Sequence, residues 1–335
     1  MKLCVYGAGA VGGLMAAWLA RAGHDVSVVA RGAHLEAMRR SGLRVRSQNG
    51  VESFQIKAAG DPRELGPQDY VLVTVKAQSL TDVAQSMGPL LGQGTSIVTA
   101  MNGVPWWFFD RLPYAQNARN GGERLESLDP RGTLARGMPT ERIVGCVVHL
   151  AASTPEPGLI SHNMGRKLIV GEPGGKNTTR TRHIADALQG AGFEVIVTPT
   201  IEKEFWVKLL GNVSFNPVSA LTMSTADRLI ETPGVKGFMV KIMREVLAIG
   251  RAVGVDADID PEARIDMARA LGKFKTSMLQ DMEAGKALEI DGLLAGTLEI
   301  ARKAGVPAPY TEMLFGLIKA RAQATGQYRN SDPGS

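Results

Sequence analysis

Over the first 200 residues, apolar runs of strand length are separated by stretches with helical spacing. The runs predict strands at 3–7, 24–31, 69–76, 95–103, 142–153, 158–164, 166–173 and 194–200, with a hairpin-like pair at 43–58. The stretches between them predict helices at 10–22, 33–41, 78–90 and 177–191. Strands that alternate with helices indicate an α/β Rossmann-type, doubly wound parallel sheet, so we expect residues 1–200 to form one α/β domain.

From residue 201 onward the strand pattern stops and only helical spacing remains. Helices are predicted near 201–221, 224–231, 234–254, 260–272, 276–285, 287–305 and 309–324. Pro and Gly residues separate these segments, as expected of helix ends. We therefore expect an all-α C-terminal domain over 201–325 and a frayed tail over 326–335.

One segment, 105–141, fits neither pattern. It opens with crowded aromatics, PWWFF, and continues with many turn-forming residues. It is too long for a simple connection between two elements. We expect either an active-site lid or a surface insertion.

The first strand runs into a glycine-rich loop that opens the first helix. Its GxGxxG pattern comprises Gly7, Ala8, Gly9, Ala10, Val11 and Gly12. The glycines permit a tight turn and a close approach of the backbone, and the helix N-terminus offers unbonded N–H groups to a pyrophosphate. A glycine-rich turn that serves packing alone is the other interpretation. The position of the motif favours dinucleotide binding.

The residue at the end of the second strand distinguishes between cofactors. An NAD site places an acid there, but this chain has Arg31, nineteen residues after Gly12. Arg matches the geometry of a ribose 2′-phosphate, so NADPH is favoured over NADH. A surface arginine without a role is the alternative. Lys76, at the end of the fourth strand, either supplies a second cation or is solvated.

A polar stripe runs along the predicted helix 201–221. Lys208, Asn212 and Asn216 recur every fourth residue and share one face. Lys208 alone could pair with Glu204 or extend into solvent. The two amides are harder to explain, because Asn is a poor helix former and costly to bury unpaired. Pro217 is also expected to distort or end the helix, and several broken rules together suggest a functional site.

The stripe suits the reduction of a carbonyl group. Hydride delivery to C=O leaves negative charge on oxygen, which a positioned ammonium such as Lys208 can stabilise and protonate. Amides can hold substrate hydroxyl or carboxylate groups without adding charge. Asn102 lies at the end of the strand predicted at 95–103, where the nicotinamide would reach. An ordinary Asn-Gly turn at this position remains the alternative.

Composition adds few constraints. The net charge is +5 and the pI about 9.2, but the basic residues are scattered and no nucleic-acid motif occurs. Glycines interrupt the apolar N-terminal segment, so neither a signal peptide nor a membrane helix is expected. Cys4 and Cys146 form no metal-ligand cluster. We expect a cytoplasmic protein without a metal, membrane or nucleic-acid partner, which acts on a small molecule.

Taken in order, several motifs resemble the ketopantoate reductase (2-dehydropantoate 2-reductase) family over roughly 1–325. They are GAGAVGG (7–13), Arg31, VKAQ (75–78), NGV (102–104), WVKLLGNVSFNP (206–217), SMLQD (277–281) and EIDG (289–292). The combination is more specific than any single motif.

The resemblance implies a Rossmann domain, a helical domain and a cleft between them. It implies NADPH-dependent reduction of ketopantoate or a related 2-oxo acid to the (R)-2-hydroxy acid, which belongs to pantothenate and coenzyme A biosynthesis if pantoate is the product. The resemblance implies that Lys208 is the general acid and that Glu289 acts on this lysine. It implies that Asn212 and Asn216 hold polar groups of the substrate and that Ser277 contacts the substrate carboxylate. It also implies that Asn102 places nicotinamide and substrate, and that Lys76 and Gln78 contact the cofactor.

Two departures from the family pattern lie on the substrate side. Family members often carry a further Asn where this chain has Ala226, and their connection after NGV is shorter than the 105–141 segment. We therefore keep open that the chain reduces a different 2-oxo acid.

Two rival functions also remain. One is an NADPH-dependent dehydrogenase of the 3-hydroxyacid or opine type, the latter of which needs a His–Asp pair. The chain's histidines are scattered, at His24, His34, His149, His162 and His183. The other rival is a non-enzymatic NADPH sensor, which would not need Lys208. The apolar content of the helical domain permits a homodimer.

Overall fold

The computed structural model describes residues 1–48, 50–116, 124–270 and 272–328. The chain divides into two compact units. Unit 1 comprises Met1–Met101 and Arg131–Ile201, and unit 2 comprises Asn102–Pro130 together with the chain from Glu202 onward. One division falls between Ile201 and Glu202, and the stretch Asn102–Pro130 groups with the helical unit because its side chains pack there.

Unit 1 is built on one sheet, which has ten strands over the described residues. They are β1 Lys2–Tyr6, β2 Asp25–Val29, β3 Leu43–Ser47, β4 Gly50–Phe54, β5 Lys57–Ala59, β6 Gln68–Val73, β7 Leu91–Thr99, β8 Ile143–Glu156, β9 Leu159–Gly171 and β10 Glu194–Val197. The strand order is β4-β3-β9-β8-β7-β6-β1-β2-β5, and β10 pairs with β9.

The sheet confirms the Rossmann-type α/β class, with one difference from an all-parallel sheet. Across the sheet from β5 through β2, β1, β6 and β7 to β8, neighbouring strands are parallel. In contrast, β8 pairs with β9, and β3 with β4, in antiparallel fashion. The predicted strands 158–164 and 166–173 are one continuous strand, β9. Gly158, which has φ +76°, makes the turn after which β9 runs antiparallel to β8.

Thirteen α-helices occur in the described chain. They are α1 Ala10–Arg21, α2 Gly32–Ser41, α3 Leu80–Ser86, α4 Pro113–Gln116, α5 Thr133–Gly137, α6 Thr179–Gly190, α7 Ile201–Thr222, α8 Ala226–Glu231, α9 Pro233–Ala252, α10 Pro261–Arg269, α11 Ser277–Glu283, α12 Gly296–Lys303 and α13 Pro309–Ala324. Helices α4 and α7 to α13 belong to unit 2. None of the helices in these residues is long and apolar enough to cross a membrane.

The central strands of unit 1 are buried on both faces. Leu3, Cys4 and Val5 of β1 are fully buried, which explains why parallel strands here read as unbroken apolar runs.

Directly after the end of β9, the carboxylate of Glu172 accepts hydrogen bonds from the side chains of Arg180 and Thr181. Burial acts to raise the pKa of Glu172, but these hydrogen bonds outweigh it and lower the pKa below its usual range.

The aromatic opening of the 105–141 segment lies in the core of unit 2. Trp107 and Phe108 are almost completely buried. Phe108 stacks on Trp206 with ring centroids 5.4 Å apart, and Trp107 meets Phe205 edge-on at 5.4 Å. For these aromatics the expectation of a surface insertion is wrong, because their side chains are buried against α7. Residues 117–123 of the segment lie outside the described residues.

A buried carboxylate fastens the end of this segment to α12. Glu299 accepts the backbone N–H groups of Glu126 and Ser127 at 2.9 and 2.8 Å, and the Ser127 hydroxyl at 2.6 Å. The phenol of Tyr114 donates to the carbonyl of Lys303 at 2.9 Å. Residues 105–116 and 124–130 of the segment are therefore part of the helical unit's structure, whereas residues 131–141 belong to unit 1.

Two further expectations need correction. Helix α7 does not end or break at Pro217 but continues to Thr222, because the residues around the proline are buried on both sides and hold the helix despite the missing N–H. Gln327 and Tyr328 also do not belong to a frayed tail. Gln327 is buried and donates to the carbonyl of Lys286 at 2.8 Å, and the Tyr328 phenol donates to Asp291 at 2.8 Å. Residues 329–335 lie outside the described residues.

Candidate active site

The glycine-rich loop of unit 1 is held tightly between β1, α1 and the chain after β6. Gly7 has φ +98°, and a Cβ there would lie 2.5 Å from Cγ1 of Val75. A Cβ on Gly12 would lie 2.2 Å from Oγ1 of Thr74. Both positions therefore require glycine, as the sequence predicted from the motif.

Gly9 is different, because its surroundings are open. It precedes α1 with no side-chain cap, and a Cβ there would meet no atom within 4 Å. The first N–H groups of α1 therefore face space in which an anion can be bound by the backbone and the helix dipole. The loop of Gly7, Ala8, Gly9, Ala10, Val11 and Gly12 thus fits a dinucleotide pyrophosphate.

Two side chains that the sequence did not single out hold this loop. The Thr74 hydroxyl donates to the carbonyl of Gly7 at 2.7 Å. His34 joins the loop to the β8–β9 turn: its Nδ1 accepts the N–H of Gly158 at 2.9 Å, so Nε2 carries the proton and donates to the carbonyl of Ala8 at 2.6 Å. Nothing in the spacing of the histidines pointed to this bridge.

Arg31 lies at the expected position, between β2 and α2. It is exposed, and its guanidinium donates to the hydroxyl of Ser79 at 3.1 Å. Ser79 closes a short 3-10 turn, Ala77–Ser79, which Lys76 precedes and which contains Gln78. Lys76 and Gln78 are exposed as well. The structure thus brings Arg31 to the same turn as the other two predicted cofactor residues.

In unit 2, the predicted catalytic lysine meets the predicted asparagine directly. The ammonium of Lys208, on α7, donates to Oδ1 of Asn102 at 2.8 Å. The turn that presents Asn102 depends on Gly103, which has φ +84° and on which a Cβ would lie 2.5 Å from the carbonyl oxygen of Gly292. Asn102 therefore belongs to a tight Asn-Gly turn and also uses its side chain to position Lys208.

The other two side chains of the polar stripe have no hydrogen-bond partner within the described chain. Asn216 is only 7% exposed, and Asn212 is half-buried. Amides in such positions are costly unless something bonds them. They are therefore available to the polar groups of a ligand.

Glu289 lies on a segment that packs against the Asn102 turn. The N–H of Val104 donates to the carbonyl of Gly292 at 2.8 Å, and Gly292 belongs to a π-helical segment, Asp291–Ala295, that begins two residues after Glu289. Such segments are frequent at functional sites. Glu289 itself is half-buried.

Ser277 is exposed at the first position of α11, in the same unit. The helix cap that a serine here would be expected to form is made instead by Thr276, whose hydroxyl accepts the N–H of Leu279 at 3.2 Å. The Ser277 hydroxyl is therefore not used by the cap. Where Ser277 would meet a substrate stays a prediction.

A Rossmann-type unit with a glycine-rich loop, and a helical unit with a positioned ammonium, occur here in a chain whose curated relative is an oxidoreductase that acts on CH–OH groups. Family models for "Ketopantoate reductase PanE/ApbA" and "Ketopantoate reductase PanE/ApbA C terminal" match residues 3–106 and 200–322. The chain belongs to the ketopantoate reductase family.

Individual relatives agree with this assignment. A 2-dehydropantoate 2-reductase of Mesorhizobium japonicum is 42% identical over 98% of this chain and 100% of its own length. A crystal structure of a candidate ketopantoate reductase from Ralstonia solanacearum is 44% identical, with a TM-score of 0.93 over 98% of this chain and 99% of the other. D-mandelate dehydrogenase, at 18% identity and a TM-score of 0.84 over 98% and 100%, shares the fold.

Proposed function

We propose that this protein reduces ketopantoate, or a closely related 2-oxo acid, to the (R)-2-hydroxy acid with NADPH. The hydrogen bond of 2.8 Å from Lys208 to Asn102 supports this most directly, because it fixes an ammonium at the end of a polar stripe. The names of the relatives, 2-dehydropantoate 2-reductase among them, support the substrate. If pantoate is the product, the reaction belongs to pantothenate and coenzyme A biosynthesis, and we place it in the cytoplasm.

The cofactor assignment rests on unit 1. The backbone of the Gly7–Gly12 loop would hold the pyrophosphate, and Arg31 would bind the 2′-phosphate, for which a guanidinium is the matched partner. Lys76 and Gln78 would add contacts from the neighbouring turn. When bound, the reduced nicotinamide supplies a hydride to the carbonyl carbon.

The residues of unit 2 would donate the proton and orient the substrate. Lys208 donates a proton to the carbonyl oxygen as negative charge grows there. Asn102 accepts one of the three ammonium N–H groups and is neutral, so it orients Lys208 without quenching its charge. The free amides of Asn212 and Asn216 hold substrate polar groups, and Glu289 acts on the lysine from the neighbouring segment.

One observation favours a related substrate over ketopantoate itself. Ala226 is 1% exposed within the apolar core of unit 2, and its N–H is bonded to the carbonyl of Phe274 at 2.9 Å. The side chain thus offers no polar contact where family members often have an asparagine. A 2-oxo acid without a terminal hydroxyl group needs no such contact.

Steady-state kinetics with NADPH test both versions. Ketopantoate is compared with pyruvate, 2-oxoisovalerate and bulkier 2-oxo acids, and the reduced nicotinamide's absorbance is followed. A kcat/KM for ketopantoate far above the others identifies a ketopantoate reductase, whereas a preference for 2-oxoisovalerate supports the related substrate. Tight NADPH binding without turnover of any 2-oxo acid would refute the proposal and favour a sensor.

A further inference from the structure

An arginine of α10 reaches the helix that carries the polar stripe. Ile265 and Ala268 of α10 are buried in the core of unit 2, and Arg264 is half-buried beside them. Its guanidinium lies directly against α7: a Cβ on Gly211 would be 2.9 Å from Nη2 and 3.6 Å from Cζ of Arg264. The absence of a side chain at Gly211 creates the room for this contact.

Arg264 has no hydrogen-bond or ion-pair partner for its side chain among the residues that the structure describes. The two nearest acids in sequence are engaged elsewhere, because Lys236 lies 3.7 Å from Glu262 and 3.5 Å from Asp266. Burial without an acid lowers the pKa of Arg264. A partly buried guanidinium normally has an anionic partner, so Arg264 is available to bind an anion that the described residues do not provide.

The contact point on α7 is close in sequence to two residues of the candidate site. Gly211 follows Lys208 by three residues and directly precedes Asn212. At roughly 100° per residue, Gly211 lies about 60° from Lys208 around the axis of α7. Arg264 therefore contacts α7 beside the proton donor and the unbonded amide. Glycine is a poor helix former in this interior position, so the opening for the guanidinium is kept at a cost to the helix.

We propose that Arg264 binds the carboxylate of the 2-oxo acid, an inference that rests on the proposed function. Every 2-oxo acid carries a carboxylate next to the carbonyl that Lys208 would protonate. A guanidinium can hold that carboxylate through two parallel N–H···O bonds, which fixes its position and direction. Ser277, to which the family resemblance assigns the carboxylate, offers a single neutral hydroxyl. Arg264 supplies the positive charge that Ser277 lacks.

The test compares a charged substrate with a neutral one. Arg264→Gln, Arg264→Lys and the unchanged protein are assayed with NADPH on the preferred 2-oxo acid and on its carboxamide. For Arg264→Gln we expect KM for the acid to rise about 10- to 100-fold with kcat changed only a few-fold, since two charge-assisted hydrogen bonds are lost. KM for the carboxamide should stay within about threefold, and Arg264→Lys should keep part of the effect.

Two further variants separate binding from stability. Gly211→Ala places a methyl group 2.9 Å from Nη2 and should raise KM for the acid in the same way while leaving Arg264 present. Arg269→Gln is the matched control, because Arg269 lies on the same helix, is exposed and lies 3.5 Å from Asp266. It should change neither KM. Thermal unfolding confirms that each variant is folded.

The outcomes distinguish this inference from the function on which it rests. If the unchanged protein reduces no 2-oxo acid, the proposed function fails and the role of Arg264 fails with it. If the unchanged protein is active but Arg264→Gln alters acid and carboxamide equally, only the carboxylate role is overturned. An effect confined to 2-oxo acids with a second carboxylate would also overturn it, because the guanidinium would then bind the far end of the substrate.

Discussion

The two units bind their proposed ligands with different parts of the chain. In unit 1, the proposed pyrophosphate site would be made of backbone N–H groups, and the shape of its loop depends on the absence of side chains at Gly7 and Gly12. In unit 2, the site is made of side chains, with Lys208 held by Asn102 from a part of the chain 106 residues earlier. A backbone site can be recognised in one short motif, whereas a side-chain site must be assembled from distant segments.

The strongest test of this contrast removes the charged side chain of unit 2. Lys208→Ala should lower kcat by about 10³-fold, since a positioned general acid contributes roughly that much. The Kd of NADPH, measured by fluorescence titration, should change less than about threefold if unit 1 alone binds the cofactor. Lys203→Ala, an exposed lysine on the same helix, is the control and should retain full activity. A loss of less than tenfold for Lys208→Ala would contradict the role as proton donor.

The next test removes the guanidinium that we assign to the 2′-phosphate of the cofactor. Arg31→Ala should weaken NADPH binding by about 10- to 100-fold, because hydrogen bonds to a charged group contribute roughly 1.5–3 kcal/mol. The Kd of NADH should hardly change, since NADH lacks the 2′-phosphate. Arg40→Ala, an exposed arginine on α2, serves as the control. Equal losses for the two cofactors would show that Arg31 does not read the 2′-phosphate.

A smaller effect is expected from adding a single methyl group to the backbone site. Gly9→Ala meets no protein atom within 4 Å, so thermal unfolding should be unchanged. The methyl group should nevertheless weaken NADPH and NADH binding about tenfold, about 1.4 kcal/mol, because it occupies space that the pyrophosphate needs. Gly190→Ala, at the end of α6 and equally free of contacts, controls for the substitution itself. Unchanged affinity would place the pyrophosphate elsewhere.

The smallest expected effect concerns a side-chain network inside unit 1. The folded-state pKa of Glu172 is lowered, so the ionised carboxylate stabilises the fold above about pH 4.5, and this contribution is lost as the pH falls through the lowered value. Glu172→Gln should reduce the free energy of unfolding by about 1 kcal/mol at neutral pH and flatten its decline below pH 4.5.

Denaturant unfolding between pH 3 and 7, about the range over which such a carboxylate titrates, measures this difference. Glu194→Gln is the control, because Glu194 forms an exposed ion pair with Arg166 at 3.0 Å and should contribute almost nothing. A parallel pH dependence for Glu172→Gln and the unchanged protein would show that the network does not stabilise the ionised form.

The alternation of apolar runs predicted most of the elements, because strands buried on both faces and amphipathic helices leave strong local patterns. The glycine motif was readable for the same reason, since its geometry is local. The aromatic segment was not, because burial of Trp107 and Phe108 depends on Trp206 and Phe205, about a hundred residues later. A composition rich in turn formers suggested the surface instead.

The candidate site was predictable only in part. Lys208, Asn212 and Asn216 share one helix, so their periodicity showed them together. His34 and Arg264 left no such signal, because neither belongs to a motif. His34 contacts Ala8 and Gly158, and Arg264 contacts Gly211, only because the fold brings these distant residues together. The family resemblance supplied Ser277 and Glu289, whose roles stay predictions.

The split of unit 2 along the chain has a consequence for synthesis on the ribosome. About 70 residues, Arg131–Ile201, separate Asn102–Pro130 from the rest of its unit. At roughly 5–20 residues per second, the nascent chain carries Trp107 and Phe108 for several seconds before Phe205 and Trp206 emerge to cover them. We expect this aromatic stretch to be the part of the newborn chain that most needs a chaperone, and a fragment ending at residue 201 to aggregate through it.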